Sequence, residues 1–211
     1  IDPDQPSEPE FPEVEMPEVK GNSFSYDFND GDLSDFNLFE KDGNNSHWEI
    51  LNNNNQIDGS HSLVSYSYGN YGAYEADNYI VTKDLYLITS TSELKFDVVC
   101  HAVYNDKWDE VMVKVSTDGE NFTLIETVKP ESSMKKSITI DLGAKFAELG
   151  LEYGSYHIAL HHYHTTDIWH IMVDNLQLVN SKPVYNAGKY YLVAAAEDAF
   201  TVNVAVEALA P

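Results

Sequence analysis

The last long hairpin of the chain concentrates the residues that could bind a metal ion. It covers residues 157–178, with a polar break at Thr165–Asp167, and holds five of the eight histidines: His157, His161, His162, His164 and His170. Neutral imidazoles bind zinc and copper. In a strand, however, alternation places the first two on one face and the next two on the other. Since neither a cysteine nor an HExxH pattern assists, we expect hydrogen-bonded histidines rather than a transition-metal centre.

Asp174 lies in the otherwise apolar second strand of this hairpin. A carboxylate in such a strand is costly to bury unless it is paired or bound to a cation. The chain carries 35 Asp and Glu against 12 basic residues, for a net charge of −23. Two interpretations of this acidity stay open: it keeps the chain soluble, or some carboxylates collect around Ca²⁺, which prefers several oxygen ligands.

The sequence offers little for catalysis. The single cysteine, Cys100, follows Leu94, Phe96 and Val98 on one face of a predicted strand, which is typical of a core thiol rather than a nucleophile. No Gly-x-Ser-x-Gly or phosphate-binding loop occurs, and no pattern singles out a pair of carboxylates for glycoside hydrolysis. We therefore predict a protein that is not an enzyme.

Two segments have the composition of binding loops. Residues 65–74 mix tyrosine with Ser, Gly and Asn, and residues 104–108 add a second aromatic loop. Tyrosine offers rigid, amphipathic contact area to sugars or proteins, while the small polar residues adapt. The alternative is that alternate tyrosines fill the core. The binding interpretation predicts five ligand-contacting residues: Tyr68, Tyr71, Tyr74, Tyr104 and Trp108.

Short strands must position these residues. Alternating or apolar runs separated by polar turns predict eight strands before the hairpin: Ser23–Phe28, Trp48–Leu51, Ser62–Tyr66, Asn78–Thr82, Glu93–Ala102, Glu110–Ser116, Phe122–Val128 and Ser137–Leu142. Asp118-Gly119 is a strong hairpin signal. The one helical candidate is Gly143–Leu151. Many short strands with one helix predict an all-β sandwich or barrel.

Composition divides the chain into three parts. Residues 1–21 are rich in proline and acid, which predicts an extended linker. Residues 22–180 form the predicted β domain. Residues 181–211 hold two further strand candidates, which are extra C-terminal strands of the sandwich or the start of a second domain.

The charge and hydropathy of the chain exclude several partner classes. Strong acidity argues against nucleic acid and against adsorption to anionic lipid. No apolar run is long enough to insert into a bilayer. The chain begins at Ile1 rather than Met, which is compatible with removal of a signal peptide.

Several motifs, in their order and spacing, resemble the cleaved-adhesin domains (also called choice-of-anchor J domains) of gingipains and bacterial haemagglutinins. The closing hairpin, with its His-Tyr and Asp-Asn pairs, is similar to theirs. Four further segments match the family's Asp-Gly loop ending in Trp, its glycine-plus-small-residue segment, its Asp-Asn-aromatic strand and its Val-Ser-Thr-Asp-Gly hairpin: Asp42–Trp48, Gly59–Ser65, Asp77–Thr82 and Val115–Phe122.

The resemblance implies a calcium-bearing jelly-roll β-sandwich of the galactose-binding-like or MAM-like type. The calcium ligands that it implies are Asn29, Asp42, Asn44, Asp77 and Asp174. Asn29, Asn44 and Asn175 replace acidic residues that the family often carries, and fewer charges weaken a calcium site.

The resemblance also implies a function. We expect a non-catalytic, calcium-stabilised adhesion module that binds a glycan or a host extracellular protein. It would belong to a larger adhesin, outside the cell or on the bacterial outer-membrane surface, where a lipid at a processed N-terminus could anchor it. The first alternative is a carbohydrate-binding accessory domain of a secreted hydrolase or peptidase, and the second is an enzyme.

Overall fold

Two β-sheets pack face to face in the computed structural model. The structure describes residues 19–41, 43, 46–52, 57, 59, 61–69, 72–73, 75–102, 108–131, 133–164 and 166–180. In chain order the elements are β1 (Val19–Gly21), β2 (Phe24–Tyr26), β3 (Phe36–Glu40), β4 (Glu49–Asn52), β5 (His61–Tyr66), β6 (Tyr68–Gly69), β7 (Gly72–Ala73), β8 (Asp77–Thr82), β9 (Leu85–Ile88), β10 (Ser92–Ala102), β11 (Val111–Ser116), β12 (Thr123–Val128), β13 (Lys136–Asp141), α1 (Leu142–Leu149), β14 (Gly154–Tyr163) and β15 (Trp169–Asn180).

The two halves of the sandwich are a seven-stranded and a six-stranded sheet. The first has the order β1-β9-β14-β11-β12, with β8 paired to β14 and β3 paired to β8. The second has the order β13-β10-β15-β5-β4, with β2 paired to β15. The predicted hairpin supplies one central strand to each sheet, β14 and β15. This arrangement confirms the predicted jelly-roll β-sandwich.

Strand alternation explains where the core lies. In β11, Val111, Val113 and Val115 are buried and belong to the core cluster, while Lys114 between them is only partly buried. The facing strand β15 contributes Ile171 to the same cluster. Period-two alternation therefore builds one apolar layer between the sheets and leaves the outer faces for other chemistry.

The helix α1 begins at Leu142, one residue before the predicted start, because Asp141 caps it. The Asp141 side chain accepts a hydrogen bond from the backbone N–H of Ala144, and the helix ends at Gly150, whose φ is 68°. A carboxylate N-cap and a left-handed glycine C-cap are common helix boundaries.

Residues 19–21, predicted to be the end of the linker, form strand β1. Val19 and Gly21 pair in parallel with Leu85 and Tyr86 of β9, so the ordered domain begins before residue 22. The predicted linker up to residue 18 and the predicted C-terminal strands after residue 180 lie outside the described residues. In the described part of the chain, no helix combines the length and the apolar character that a membrane crossing requires.

Candidate functional site

Tyr68 and Trp108 lie at the same end of the sandwich. The hydroxyl of Ser67 donates to the Asp109 carboxylate, with oxygen–oxygen distances of 3.0 and 3.2 Å. Because Tyr68 follows Ser67 and Trp108 precedes Asp109, the two aromatic residues flank this buried hydrogen bond. Tyr68 is 39% exposed and Trp108 is half-buried. The other predicted ligand-binding residues, Tyr71, Tyr74 and Tyr104, fall outside the described residues.

Trp169 joins this end of the molecule and was missed by the sequence analysis. Its carbonyl accepts the Ser67 N–H at 2.9 Å, and its own N–H donates to the Ser67 hydroxyl at 3.4 Å. Its side chain is 45% exposed. The signal available in the sequence was a tryptophan immediately after the turn of the long hairpin. We call Tyr68, Trp108 and Trp169 the aromatic rim.

A buried polar network supports the rim from beneath. Nε2 of His162 lies 3.2 Å from the Asp109 carboxylate, and Nδ1 lies 2.8 Å from the Ser65 hydroxyl. The tautomer with a proton on Nε2 fits both contacts, because it donates to the Asp109 carboxylate and accepts from the Ser65 hydroxyl. The side-chain amide of Asn78 also donates to Ser65, at 3.0 Å. His162 and Asn78 belong to one sheet and Ser65 to the other, so the network ties the sheets together.

The Ser65–His162–Asp109 arrangement has the connectivity of a nucleophile, a base and an acid. All three side chains, however, are fully buried, at 0% exposure. A substrate cannot reach a hydroxyl that has no accessible surface, so we assign the three residues a structural role. Cys100 is similarly enclosed: its sulfur accepts the Asp109 N–H at 3.1 Å, and burial raises the pKa of the thiol to about 12. The predicted core thiol is confirmed.

Asp174 faces a second carboxylate. In the pairing of β10 with β15, Asp97 lies directly opposite Asp174, and the two residues are 9% and 1% exposed. Asp97 accepts hydrogen bonds from the Ser137 hydroxyl and the Asn175 amide, and the ammonium of Lys135 is 3.7 Å away. Like charges directly opposite each other destabilise a sheet, so a bound cation would stabilise this position.

Asn29 reaches the same junction from β2. Strand β15 pairs with β5 up to Val173 and with β2 from Leu176 onward, so Asp174 and Asn175 lie where the partner changes. Asn29, three residues after β2, accepts the N–H of His61 at 3.3 Å, and a Cβ at Gly59 would overlap its side-chain amide. The structure therefore brings Asn29 and Asp174 to the β2–β5–β15 junction.

The junction supplies the donor atoms that Ca²⁺ prefers. Ser62 lies in β5 next to Leu63, which pairs with Val173, the residue before Asp174. Its hydroxyl is buried and has no hydrogen-bond partner in the described part of the chain. Carboxylate, amide and hydroxyl oxygens at one place fit a calcium ion. Among the described residues, no group of three or more His, Cys, Asp or Glu side chains is arranged to hold a metal.

Asp77 does not belong to the junction. It lies in β8, in the other sheet, and its carboxylate is 2.8 Å from Nε2 of His161. Both side chains are on the outer face of the seven-stranded sheet, whereas Asp174 lies on the outer face of the opposite sheet, among residues such as Met172. Outer faces of a sandwich point away from each other, so Asp77 and Asp174 cannot share one ion. Asp42 and Asn44 lie outside the described residues.

The histidines of the hairpin divide between environments. Nδ1 of His157 donates to the Thr82 carbonyl at 2.9 Å, and burial, with help from Lys114, lowers the pKa of His161 to about 2. His170 is opposite His101, and neither of its ring nitrogens has a hydrogen-bond partner in the described part of the chain. The expectation that these histidines are hydrogen-bonded thus fails at His170, where aromatic rings surround the imidazole instead.

Comparison with solved structures identifies the same fold in three domains of Lys-gingipain. The K1 cleaved adhesin domain, from Porphyromonas gingivalis W83, has a TM-score of 0.63 and 20% identity over 77% of this chain and 100% of its own. The K2 domain has a TM-score of 0.59 and 19% identity over 74% of this chain and 99% of its own. The K3 domain, from the same strain as K1, has a TM-score of 0.58 and 18% identity over 74% of this chain and 98% of its own. At this identity the likeness establishes the fold.

Comparison of the sequence with curated proteins gives no match. A family model described as Cleaved Adhesin Domain matches residues 25–178. This range runs from β2 to β15 and includes the aromatic rim and the β2–β5–β15 junction, while β1 precedes it. Since the model matches well over half of the sequence, the chain belongs to the cleaved adhesin domain family.

Proposed function

We propose that the chain is a non-catalytic, calcium-stabilised adhesion module of a secreted or surface-anchored bacterial protein. Its ligand is a glycan or a host extracellular protein, and it acts beside other domains of a larger adhesin. The observation that carries this proposal is the aromatic rim. Exposed aromatic side chains on a rigid base are the anchors on which sugars stack and protein hot spots form.

The rim is held by the scaffold rather than by its own loops. The side chain of Ser67 contacts Asp109 and the N–H groups of Ile168 and Trp169, so segments that are distant in sequence meet at one buried hydroxyl. Such a base lowers the ordering cost of binding, because the aromatic side chains are positioned before the ligand arrives.

Calcium is the structural part of the proposal. The Asp97–Asp174 pair and the Asn29 and Ser62 oxygens support a bound ion at the β2–β5–β15 junction. There it would link β2, near the start of the domain, to β15 at its end. Because the ion would bind only the folded chain, it would stabilise the fold by mass action.

Alanine substitution of the rim tests the binding role. We expect Trp169→Ala to weaken binding to whichever glycan or host extracellular protein retains the wild-type chain on an array, by about 1–2 kcal/mol, as expected for an interface anchor. The melting temperature should fall by only a few degrees, because the side chain is half-exposed although one edge packs on His170. Tyr68→Ala should act in the same direction.

The control is Leu149→Ala, which removes an exposed apolar side chain at the end of α1. A ligand that binds the rim should not distinguish this variant from the wild type. Retention of full affinity by both rim variants would remove the rim from the binding site.

A further inference from the structure

A groove crosses the outer face of the seven-stranded sheet, away from the aromatic rim. Its volume is ≈ 490 Å³, within the range of small-ligand sites. Its floor includes Tyr79 and Val81 of β8. One wall is β3, with Asn37, Phe39 and Lys41, and the other is the β11–β12 turn.

The groove walls expose an aromatic surface that the fold itself does not cover. Phe39 is 39% exposed, although it lies directly opposite the buried Tyr79 in the β3–β8 pairing. Phe122, from the opposite wall, packs on Tyr79 with ring centroids 5.4 Å apart. An exposed phenyl ring beside a shallow apolar floor is a surface on which the C–H face of a sugar ring can stack.

The turn that forms the second wall is rigid and rich in hydrogen-bonding groups. Asp118 accepts hydrogen bonds from the side chain and backbone of Asn121 and from the N–H of Glu120, and these bonds, the Asn121 side chain first, hold the pKa of its carboxyl below the usual value. Glu120 from the same turn and His157 from β14 also line the groove. Carboxylate, amide and imidazole groups of this kind bind sugar hydroxyls.

Lys41 lines the groove, and Lys114 lies beside it, since both ammonium groups lie over the ring of Tyr79 in the groove floor. The ammonium of Lys41 is 4.8 Å from the centre of the Tyr79 ring, and that of Lys114 donates to the Tyr79 hydroxyl at 3.1 Å. Neither lysine forms an ion pair with a residue in the described part of the chain. Asp77 raises the pKa of Lys114, and its carboxylate already contacts His161 at 2.8 Å.

The electrostatics of the neighbouring groups agree with this excess of positive charge. Burial lowers the pKa of Lys114; Asp77 opposes that effect, and Lys41 adds to it. Burial also lowers the pKa of His161, and Lys114 and Lys41 contribute to the lowering, so the imidazole is neutral beside the two ammonium groups. A negatively charged ligand group would relieve their mutual repulsion.

From these contacts we infer that the groove binds a sugar residue that carries a carboxylate, with the sugar ring on Phe39 and the carboxylate at Lys41 and Lys114. This site lies on the opposite sheet from the β2–β5–β15 junction and does not use the aromatic rim. It depends on the proposed adhesion function only for the choice of a glycan as the ligand.

A matched pair of trisaccharides tests the inference. Trigalacturonate and the neutral galactotriose of the same linkage are titrated into the full chain and followed by NMR chemical shifts. We expect trigalacturonate to bind at least about fivefold more tightly at low salt, and this preference to shrink as the ionic strength rises, because Lys41 is exposed to solvent. Equal affinities for the two sugars would overturn the inference.

Variants locate the site. Phe39→Ala should weaken trigalacturonate binding by about tenfold, the usual effect of losing one aromatic anchor. Lys41→Gln should remove most of the preference for the acidic sugar, whereas Lys136→Gln, an exposed lysine in the six-stranded sheet, should change nothing. Unchanged affinity of Phe39→Ala and Lys41→Gln would overturn the site.

The same variants distinguish a failure of the groove inference from a failure of the rim proposal. If trigalacturonate binding depends on Trp169 and not on Phe39, the groove inference is wrong and the proposed rim stands. If Phe39 and Lys41 control trigalacturonate binding while rim variants bind their array ligand normally, the groove inference holds and the rim proposal fails.

Discussion

Asp109 links the chemistry of the core to the surface of the molecule. Its carboxylate accepts from Ser67 and contacts His162, and its N–H donates to Cys100. A buried carboxylate is stable only when such partners surround it. Because the neighbours of Ser67 and Asp109 include Tyr68, Trp108 and Trp169, the geometry of the aromatic rim depends on this one residue.

His170 gives a prediction at the scale of a residue. Burial, with a smaller contribution from His101, lowers the pKa of His170 to about 4, below the unfolded value near 6.5. The unfolded chain therefore binds the proton more readily, so stability is complete above about pH 6.5 and falls as the pH drops toward 4. The free energy lost through this residue is about 3 kcal/mol.

Urea unfolding at several pH values measures this effect. The free energy of unfolding of His170→Leu should fall less steeply between pH 6.5 and 4 than that of the wild type. His164→Leu, at an exposed histidine, is the control and should keep the wild-type slope. Parallel curves for wild type and His170→Leu would show that His170 titrates normally in the folded chain.

At the scale of elements, the sequence predicted most strands because their side chains alternate or form apolar runs between turns. It missed β3. In this strand Asn37 and Phe39 point outward and Phe36 and Leu38 point into the core, a pattern that becomes clear only when β3 is seen paired with β8. It also missed β9, a four-residue strand with no polar alternation. Pairing partners that are distant in the chain decide such segments, and one sequence does not reveal them.

The candidate site shows the same limit. The cost of burying Asp174 in an apolar strand predicts that it has a partner. The residue that faces it, Asp97, lies in β10, and only the pairing of β10 with β15 brings the two together. The family resemblance groups Asp77 with Asp174, whereas the sheet topology places them in different sheets. Trp169 was overlooked because its contact with Ser67 spans about a hundred residues of sequence.

The packing of α1 yields a prediction about an element. A Cβ at Gly143 would overlap the backbone carbonyl of Ser90, so the first turn of the helix lies directly against the segment between β9 and β10. Gly143→Ala should destabilise the fold by about 1–3 kcal/mol through overpacking. Helix propensity alone predicts the opposite sign, a gain of about 1 kcal/mol.

Chemical denaturation of Gly143→Ala shows whether its free energy of unfolding falls or rises relative to the wild type. Ala147→Gly, at an exposed position of the same helix, is the matched control and should lose about 1 kcal/mol from propensity. A Gly143→Ala variant that is more stable than the wild type would mean that α1 can move away from Ser90 at little cost.

At the scale of the whole molecule, strand β1 marks where the folded unit begins. Lys20 forms ion pairs with Asp35 and Asp84 at 3.3 and 3.0 Å. Removing residues 1–18 should leave the melting temperature unchanged, because a Pro- and Glu-rich segment buries too little apolar surface to offset its ordering. Removing residues 1–21 should lower it, since β9 loses one of its two strand partners.

Differential scanning calorimetry of the two truncated chains measures the contrast. Equal melting temperatures for both would show that β1 adds no stability. A lower melting temperature after removal of residues 1–18 alone would mean that this segment stabilises the domain, and the linker interpretation would be wrong.

We propose that a calcium ion at the β2–β5–β15 junction joins the start of the domain to its end. A thermal melt in millimolar calcium and in chelator, for the wild type, Asp174→Asn and Asp77→Asn, tests it most directly. Calcium should raise the melting temperature of the wild type and of Asp77→Asn by several degrees through mass action, and Asp174→Asn should show little or no rise. Superimposable wild-type melts in calcium and chelator, or a full calcium response in Asp174→Asn, would contradict the claim.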